Sequence, residues 1–272
     1  MDLISSECVI LKQQPLKESD VLVTFLARDR GRLAGVVRGS RKITGRGVGS
    51  FELFTLGVMH YTERTGSDLV SIRKCDPHPP YLFLQGDYGK IVLAGYFAEL
   101  VSLCPISPSE AERFYGLLSG AIARLCEPER ADAALLRLEF ELDFLDALGV
   151  APDFATCRVC GKPVFREEGG RFVPAQGGEH GFDLRAGSVA HPGCAARGRY
   201  VVPLSAGTLA FLAAWRGPQA GAASGNPSVN PALKMAVKPT RLALQELGQA
   251  ITRFVVHHLE REPRSLALLS KP

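Results

Sequence analysis

Two pairs of metal-ligating residue types lie about thirty residues apart in the second half of the chain. Cys157 and Cys160 are separated by two residues, and His191 and Cys194 repeat that spacing. Two thiolates joined by a histidine and a third thiolate can complete a tetrahedral coordination sphere. Gly161 allows the turn after Cys160 to take a positive φ, which directs backbone amides towards the sulfurs. The pattern predicts one structural zinc ion bound by these two pairs.

Other interpretations of the two pairs remain open at this point. The cysteines could form a metal-free turn, or a redox Cys-x-x-Cys site, although Pro152 and Asp153 do not provide the strand-to-helix setting that redox chemistry needs. His180 could replace His191 as the fourth ligand. Because four ligands fill a tetrahedral site and no catalytic carboxylate is close in the sequence, we expect a closed structural site rather than a Lewis acid.

The segment that must position these ligands is too short to bury a core of its own. Its apolar residues come in short runs separated by glycines, which predicts small strands and turns. A bound metal would supply the missing folding free energy. We therefore expect residues 157–200 to form a zinc finger inserted into a helical domain, whose two parts are residues 81–156 and 201–272.

Residues 1–80 are rich in β-forming runs separated by turn residues. The runs lie at 7–11, 20–27, 31–37, 54–61 and 68–73. Five short strands with little helix fit a small Greek-key barrel of the OB-fold type, with a sandwich fragment or an SH3-like barrel as alternatives. The predicted fold class is α+β: an N-terminal five-stranded OB-fold β-barrel, followed by an all-α domain with the inserted zinc finger.

Basic residues are concentrated in one stretch of this predicted barrel. Between residues 28 and 46, seven basic side chains accompany a single acid, Asp29. These seven residues, called the basic arc below, are Arg28, Arg30, Arg32, Arg38, Arg41, Lys42 and Arg46. Guanidinium groups bind phosphates through paired hydrogen bonds, so we expect the basic arc to contact the phosphates of a nucleic acid; the alternative is a solvated, charge-rich turn. Phe51, Phe54 and Tyr61 either stack on bases or belong to the barrel core.

Helical periodicity dominates the remainder of the chain outside the predicted zinc finger. Apolar residues recur at helical spacing in five segments. The segments are 88–103, 107–126, 131–148, 205–215 and 239–260. Ser107 begins a capping box with Pro108 at the first helical position, and Gly149 ends the third helix. Residues 216–232 are rich in small and polar residues and are expected to form a mobile loop.

Charge is distributed unevenly along the chain. The 272 residues carry a net charge of +4. The regional values are +3 for residues 1–80, −7 for 81–156, +4 for 157–231 and +4 for 232–272. An acidic centre between basic ends predicts a polyanionic partner for the ends and a different partner for the centre.

The cysteine usage and the absence of a leader pattern predict a cytoplasmic protein. The first residues do not form a signal peptide, and no apolar run is long enough to span a bilayer, so no membrane contact is expected. Four scattered cysteines are expected to be buried small apolar residues of a reducing compartment: Cys8, Cys75, Cys104 and Cys126. No glycine-rich phosphate loop and no nucleophile with a base is recognisable, so catalysis is not expected.

Several weak motifs follow one another in a characteristic order. They are Gly31-Arg32-Leu33, Arg38-Gly39-Ser40-Arg41, the run from Leu136 to Leu142 followed by Leu148-Gly149, Cys157-x-x-Cys160-Gly161, and the segment from His257 to Ser265-Leu266. In this order the chain resembles the bacterial RecO-type recombination mediators over nearly its whole length. It differs from the commoner pattern of that family because His191-x-x-Cys194 replaces a second Cys-x-x-Cys.

The resemblance implies a fold and a set of partners. Members of that family have an OB-fold that binds single- and double-stranded DNA, and a helical domain that often carries a zinc finger. They anneal strands, act with RecR, recognise the acidic, phenylalanine-ending tail of the single-stranded-DNA-binding protein and help to load RecA recombinase. They are not enzymes, and a nucleoid-associated protein is expected. The residues alone leave one alternative, a zinc-containing nucleic-acid-modifying enzyme with an OB module.

The acidic centre contains one position suited to such an acidic tail. Arg137 is the only basic residue on the third predicted helix, and Leu138, Leu142 and Leu145 form an apolar row on it. A phenyl ring could enter a groove beside this row while Arg137 binds the terminal carboxylate of the peptide. The alternative is an ion pair between Arg137 and Glu141, one helical turn later.

Overall fold

The computed structural model describes most of the chain in two compact units. The described residues are 2–16, 18–39, 51–63, 66–78, 84, 86–127, 132–169, 171–194, 200–216 and 239–269, without the side chains of residues 171 and 216. Unit 1 comprises Met1–Ala133 together with Glu262–Pro272, and unit 2 is Ala134–Arg261. The predicted four-part division at residues 80, 156 and 200 stays a prediction. No helix of the described ranges is long and apolar enough to cross a membrane.

Unit 1 is built on a closed barrel of five strands. They are β1 (Ile4–Pro15), β2 (Val21–Ala27), β3 (Gly31–Val37), β4 (Leu56–Thr62) and β5 (Leu69–Pro77). The order around the barrel is β1-β2-β3-β5-β4, and β4 pairs with β1 to close it. The β3–β5 pair is parallel, whereas the other neighbours are antiparallel. The predicted OB-fold barrel is confirmed.

Along each barrel strand, apolar side chains that face the core alternate with side chains on the outer face. In β2, Val21, Val23 and Phe25 are buried in the barrel core, whereas Leu22 and Thr24 between them are half-buried on the outer face. Phe51 and Tyr61 belong to the same core, and Phe54 is buried as well. These three aromatic residues are therefore core residues rather than stacking platforms for bases.

Two irregularities adjust the register of the barrel. In β1 the pairing with β2 shifts between Ile10 and Lys12. In β5, Ile72 pairs with Tyr61 but Lys74 pairs with His60, so that Arg73 is an extra residue. Such a β-bulge increases the local twist and redirects side chains, and here Arg73 and Lys74 are both exposed.

The helices described in unit 1 are α1 (Tyr88–Leu103), α2 (Pro108–Cys126) and the short C-terminal α6 (Leu266–Leu269). The predicted capping box is present at the start of α2, where the Ser107 amide donates to a Glu110 carboxylate oxygen at 3.1 Å. The β2–β3 turn lies against the segment before α2, since a Cβ added to Gly31 would be 2.8 Å from the carbonyl oxygen of Ile106. Glu99 of α1 accepts hydrogen bonds from the amides of Arg264 at 2.9 Å and Ser265 at 2.8 Å, which ties the segment before α6 to α1.

Among the residues that the structure describes, unit 2 contains three helices, with small strands between the first two. The helices are α3 (Ala133–Ala147), α4 (Ala206–Arg216) and α5 (Arg241–Leu259). The strands are β6 (Phe165–Glu168), β7 (Arg171–Pro174), β8 (His180–Asp183), β9 (Ser188–Ala190) and β10 (Val201–Leu204). β6 pairs with β7, and β8 pairs with both β10 and β9. The expected helical domain with a small β insertion is confirmed; the predicted loop at 216–232 lies outside the described residues except for Arg216.

One buried and one half-buried carboxylate connect the elements of unit 2. Glu141 of α3 is fully buried and forms an ion pair with Arg137 at 2.9 Å. The Thr252 hydroxyl of α5 donates to Glu141 at 3.0 Å, so the network joins α3 to α5. Glu246 of α5 accepts from the Ser205 amide at 2.8 Å, at the start of α4. Because a charge that is shielded from water is costly unless it is paired, these carboxylates help to fix the positions of the elements that supply their donors.

Phe254 packs α5 against the inserted strands. Its ring meets that of Phe182 on β8 with a centroid distance of 5.3 Å at 82°. At Gly187, in the β8–β9 turn, φ is +61°, and an added Cβ would lie 2.9 Å from the Phe254 ring. Phe182 in turn contacts Phe154 at 6.0 Å. The inserted segment is thus packed onto α5 through aromatic contacts and does not depend on its own strands alone.

Replacing Gly187 with alanine should loosen this packing. The added methyl group must displace the Phe254 ring, which is 3% exposed, and overpacking of this kind costs about 1–3 kcal/mol. Gly149→Ala is the matched control, because Gly149 also has a positive φ, +75°, but an added Cβ there would meet open space. Urea unfolding should give a lower midpoint for Gly187→Ala than for Gly149→Ala, and equal midpoints would contradict the close approach of Phe254.

Replacing Arg137 with alanine should destabilise unit 2. The change leaves the Glu141 carboxylate buried without its cation, at a cost on the order of 3 kcal/mol, the lower end for breaking a buried pair because 24% of the Arg137 side chain is exposed. The double variant Arg137→Met, Glu141→Leu removes both charges and should recover much of the loss. Thermal unfolding measures both effects. A wild-type melting temperature for Arg137→Ala would show that the pair contributes little.

Candidate functional site

The four predicted metal-ligating residues converge in unit 2. The ligand atoms of Cys157, Cys160, His191 and Cys194 all lie within 4.8 Å of one another. The first pair sits on a tight turn, where the Cys160 and Gly161 amides donate to the Cys157 carbonyl at 3.2 and 2.7 Å. Gly161 has φ +72°, as expected for this turn. The second pair follows β9, where the Cys194 amide donates to the His191 carbonyl at 2.9 Å.

The orientation of the His191 ring suits a metal ligand. Its Nε2 lies 2.9 Å from the carbonyl oxygen of Pro163, which can only accept a hydrogen bond, so Nε2 carries the proton. The Nδ1 lone pair is then free to face the cysteine sulfurs, and Nδ1 is 3.3 Å from Cys160 Sγ. A backbone carbonyl that fixes the tautomer of a ligating histidine is the usual supporting contact of a metal site.

Two thiol groups of the site, those of Cys157 and Cys194, have displaced pKa values. Burial raises the pKa of Cys157, but hydrogen bonds from the backbone amides of His191, Cys160 and Val159 outweigh it and lower that pKa to about 7. The side-chain hydrogen bond to Cys160, followed by burial and the neighbouring thiolates, raises the pKa of Cys194 to about 11. Sulfurs this close repel each other when ionised, and a divalent cation between them would stabilise all three as thiolates.

His180 is placed beside the site without joining it. The group of residues that could hold a metal contains His191 and not His180, so the geometry favours His191 as the fourth ligand. The His180 ring is 2% exposed, its Nδ1 lies 3.2 Å from the Gly178 carbonyl, and its ring centroid is 5.9 Å from that of His191. Burial lowers the pKa of His180, so its neutral ring forms part of the wall of the site.

The basic arc contains three residues with partners inside unit 1. Arg28 forms ion pairs with Glu7 at 3.0 Å and with Glu112 of α2 at 2.8 Å. Arg30 pairs with Glu63 at 3.4 Å, and Arg32 donates to the Ser102 carbonyl of α1. These three arginines bind neighbouring elements of unit 1, a role that charge counting along the sequence did not reveal.

The remaining four residues of the basic arc are differently placed. Arg38 is exposed at the end of β3 and forms no ion pair with the described part of the chain. Arg41, Lys42 and Arg46 lie outside the described residues. The predicted phosphate contact therefore rests on Arg38 and on these three.

Two exposed basic residues outside the arc were not singled out from the sequence. Lys12 on β1 and Arg73 on β5 are exposed and, within the described ranges, have no ion-pair partner. The period-two pattern of β5, with Val70 and Ile72 inside, was a signal that could have placed Arg73 on the outer face. Lys12 follows the β1 irregularity, which breaks the same pattern.

The residues predicted to bind an acidic peptide tail are largely buried. Leu138, Leu142 and Leu145 are 1%, 3% and 0% exposed. Arg137 is engaged with Glu141 and donates to the Thr252 hydroxyl at 2.5 Å. The ion pair considered as the alternative is therefore present, while peptide binding at this position stays a prediction.

Comparison with known proteins matches both halves of the chain to the same protein family. The model of the family described as "Recombination protein O N terminal" matches residues 1–81, and that described as "Recombination protein O C terminal" matches residues 85–267. A protein of Anaeromyxobacter dehalogenans (strain 2CP-C) named "DNA repair protein RecO" is 32% identical over 261 residues, covering 96% of this chain and 93% of its own.

Two further relatives carry the same name. That of Roseiflexus sp. (strain RS-1) is 32% identical over 264 residues, covering 97% of this chain and 84% of its own. That of Desulforudis audaxviator (strain MP104C) is 28% identical over 273 residues, covering 100% and 98%. With family models that match nearly the whole chain and a five-stranded barrel at its start, the chain belongs to the RecO family of DNA repair proteins.

Proposed function

We propose that this protein is a non-catalytic, DNA-binding recombination mediator of the cytoplasm, associated with the nucleoid. It binds single- and double-stranded DNA, anneals strands, and acts with RecR to help load RecA recombinase onto DNA coated by the single-stranded-DNA-binding protein. Family membership supports this function. The observation that carries it is the closed OB-fold barrel with Arg38 exposed at the end of β3, where no acid of the described residues pairs with it.

One structural zinc ion is the cofactor that fits the ligand group. Three thiolates and one imidazole suit the tetrahedral geometry of zinc, and His191 already has the tautomer that a ligand needs. Bound zinc would join the Cys157–Cys160 turn to the segment after β9. Four protein ligands complete a tetrahedron, which favours a structural role over the alternative of a zinc-dependent nucleic-acid-modifying enzyme, since catalysis needs an open position.

The tail of the single-stranded-DNA-binding protein is proposed to bind at Arg137 on α3. Its terminal carboxylate would have to compete with Glu141, the present partner of Arg137. The buried Leu138, Leu142 and Leu145 would have to admit a phenyl ring at the edge of their row. Binding of the tail at this position therefore implies a local rearrangement of α3.

Cys160→Ser should release the metal and destabilise unit 2. Loss of one thiolate lowers the affinity for zinc, and the folding free energy that the metal supplies is lost with it. Elemental analysis should show less than one zinc per chain, with earlier thermal unfolding and new protease cleavage within residues 161–190. Cys8→Ser, in the barrel core of unit 1, should keep the metal. An unchanged zinc content in Cys160→Ser would rule out this site.

Binding to single- and double-stranded oligonucleotides across a range of salt concentrations tests the DNA-binding function. Replacing Arg38, Arg41 and Lys42 with alanine should weaken binding without a sequence preference and lower the magnitude of the salt slope by roughly one per lost phosphate contact. Arg28→Ala is the control, because Arg28 is already paired with Glu7 and Glu112. It should lower stability and leave the salt slope unchanged. A folded triple variant with wild-type affinity and slope would exclude the loop from DNA binding.

A further inference from the structure

A serine, a histidine and an aspartate form a chain of hydrogen bonds across three strands of the barrel. The Ser5 hydroxyl oxygen on β1 lies 2.8 Å from Nδ1 of His60 on β4, and His60 Nε2 lies 2.9 Å from Oδ2 of Asp76 on β5. Strand pairing brings them together, because Ser5 is opposite His60 and Asp76 is opposite Val58, two residues from His60. The three residues are 55 and 16 positions apart in the sequence, so no local motif reveals them.

These hydrogen bonds fix the tautomer of the His60 ring. A carboxylate can only accept a hydrogen bond, so Nε2 carries the proton and donates it to Asp76. Nδ1 then presents its lone pair to Ser5, whose hydroxyl donates to it. A hydroxyl that donates to a neutral imidazole, which is in turn oriented by a carboxylate, is the arrangement that activates a serine as a nucleophile.

The charge of Asp76 and the exposure of Ser5 suit this role. Lys74 Nζ donates to the same oxygen of Asp76 at 2.6 Å. That hydrogen bond lowers the pKa of the Asp76 carboxyl; partial desolvation opposes it, and the hydrogen bond from His60 reinforces it, so Asp76 is an anion near neutral pH. The His60 side chain is 17% exposed, whereas Ser5 is exposed and can meet a reactant from solvent.

We propose that Ser5 is a site of covalent acylation, with His60 as its general base and Asp76 as the residue that positions the imidazole. Ser5 Oγ attacks the carbonyl carbon of an activated acyl donor, an aryl ester or an acyl phosphate, and its proton passes to His60 Nδ1. The bond between the carbonyl carbon and the leaving group breaks, and the leaving group departs with the electron pair. The acyl group remains on Ser5 as an ester, and the imidazolium returns the proton to solvent.

The exposure of the site limits the donor to activated acyl groups. Ser5 and Lys74 are both exposed, so water reaches the site, whereas a poor leaving group requires a water-excluded pocket that stabilises the oxyanion. The ammonium group of Lys74 favours a donor whose leaving group is an anion, such as the phosphate of an acyl phosphate. The product is one ester per chain, so the reaction is stoichiometric and independent of the DNA-binding function proposed above.

Brief reaction of the whole chain with 4-nitrophenyl acetate or acetyl phosphate, followed by peptide mass spectrometry, tests the proposal. Acetyl groups should accumulate on Ser5 faster than on Ser67, an exposed serine whose hydroxyl is hydrogen-bonded to backbone atoms of Leu69. His60→Gln removes the base and should slow the acetylation of Ser5 by about 100-fold, the lower end for general base catalysis. Thermal unfolding verifies that the variant is folded.

Two substitutions at position 76 separate positioning of the ring from stability. Asp76→Asn should slow the acetylation of Ser5, because an amide can donate to the ring and allow the other tautomer. Asp76→Glu restores a carboxylate and should recover part of the rate. A purely structural role of Asp76 would change the melting temperature and leave the acetylation rate of Ser5 unaltered.

The variant Lys74→Met distinguishes the serine from the neighbouring amine. It should leave the acetylation of Ser5 in place, because Lys74 takes no part in the proton transfer. An acetyl group found on Lys74 and not on Ser5 overturns the proposal. A Ser5 that reacts no faster than Ser67, or a His60→Gln variant with the wild-type rate, overturns it as well. None of these outcomes bears on DNA binding, which the oligonucleotide measurements test separately.

Discussion

A carboxylate that is wholly or partly removed from water has to find hydrogen-bond donors, and in each unit such a carboxylate ties a helix to another segment. In unit 2, Glu141 binds Arg137 and Thr252. In unit 1, Glu99 accepts two backbone amides at the start of the C-terminal segment. Burial raises the pKa of Glu99, but the hydrogen bonds from Ser265 and Arg264 together outweigh it and keep that pKa below its usual value. These two carboxylates of the acidic centre therefore serve internal contacts.

The features that depend on a local pattern of residues could be predicted from the sequence. Alternation of apolar residues located the barrel strands, and the Ser107 capping box located the start of α2. The spacing of Cys157 and Cys160 was enough to predict that they lie together. Spacing could not decide whether His191 or His180 is the fourth ligand, because that depends on how β8 pairs with β9. Contacts distant in sequence were beyond local pattern, since nothing in the run of basic residues shows which arginines meet an acid in the folded chain.

The basic arc illustrates this limit. Arg28 is 84 residues from Glu112, yet the two are ion-paired, and Arg32 reaches the carbonyl of Ser102. A charge excess counted along the chain therefore overestimates the number of cations free for a polyanion. At the β5 bulge, the charge count instead underestimates the available cations. The bulge exposes Arg73 in a strand that contains only one other basic residue. The electrostatic surface is set by register and pairing together with composition.

The division of the chain gives unit 1 two separate pieces, and the second piece follows unit 2 in the chain. During synthesis the barrel strands, α1 and α2 leave the ribosome first, but the partner of Glu99 at Arg264 and Ser265 arrives only after Ala134–Arg261 has been made. At translation rates of about 5–20 residues per second, this delay is on the order of ten seconds. Throughout that interval the surface of α1 that binds the C-terminal segment remains uncovered. The nascent chain must therefore stay soluble with this surface exposed while unit 2 folds.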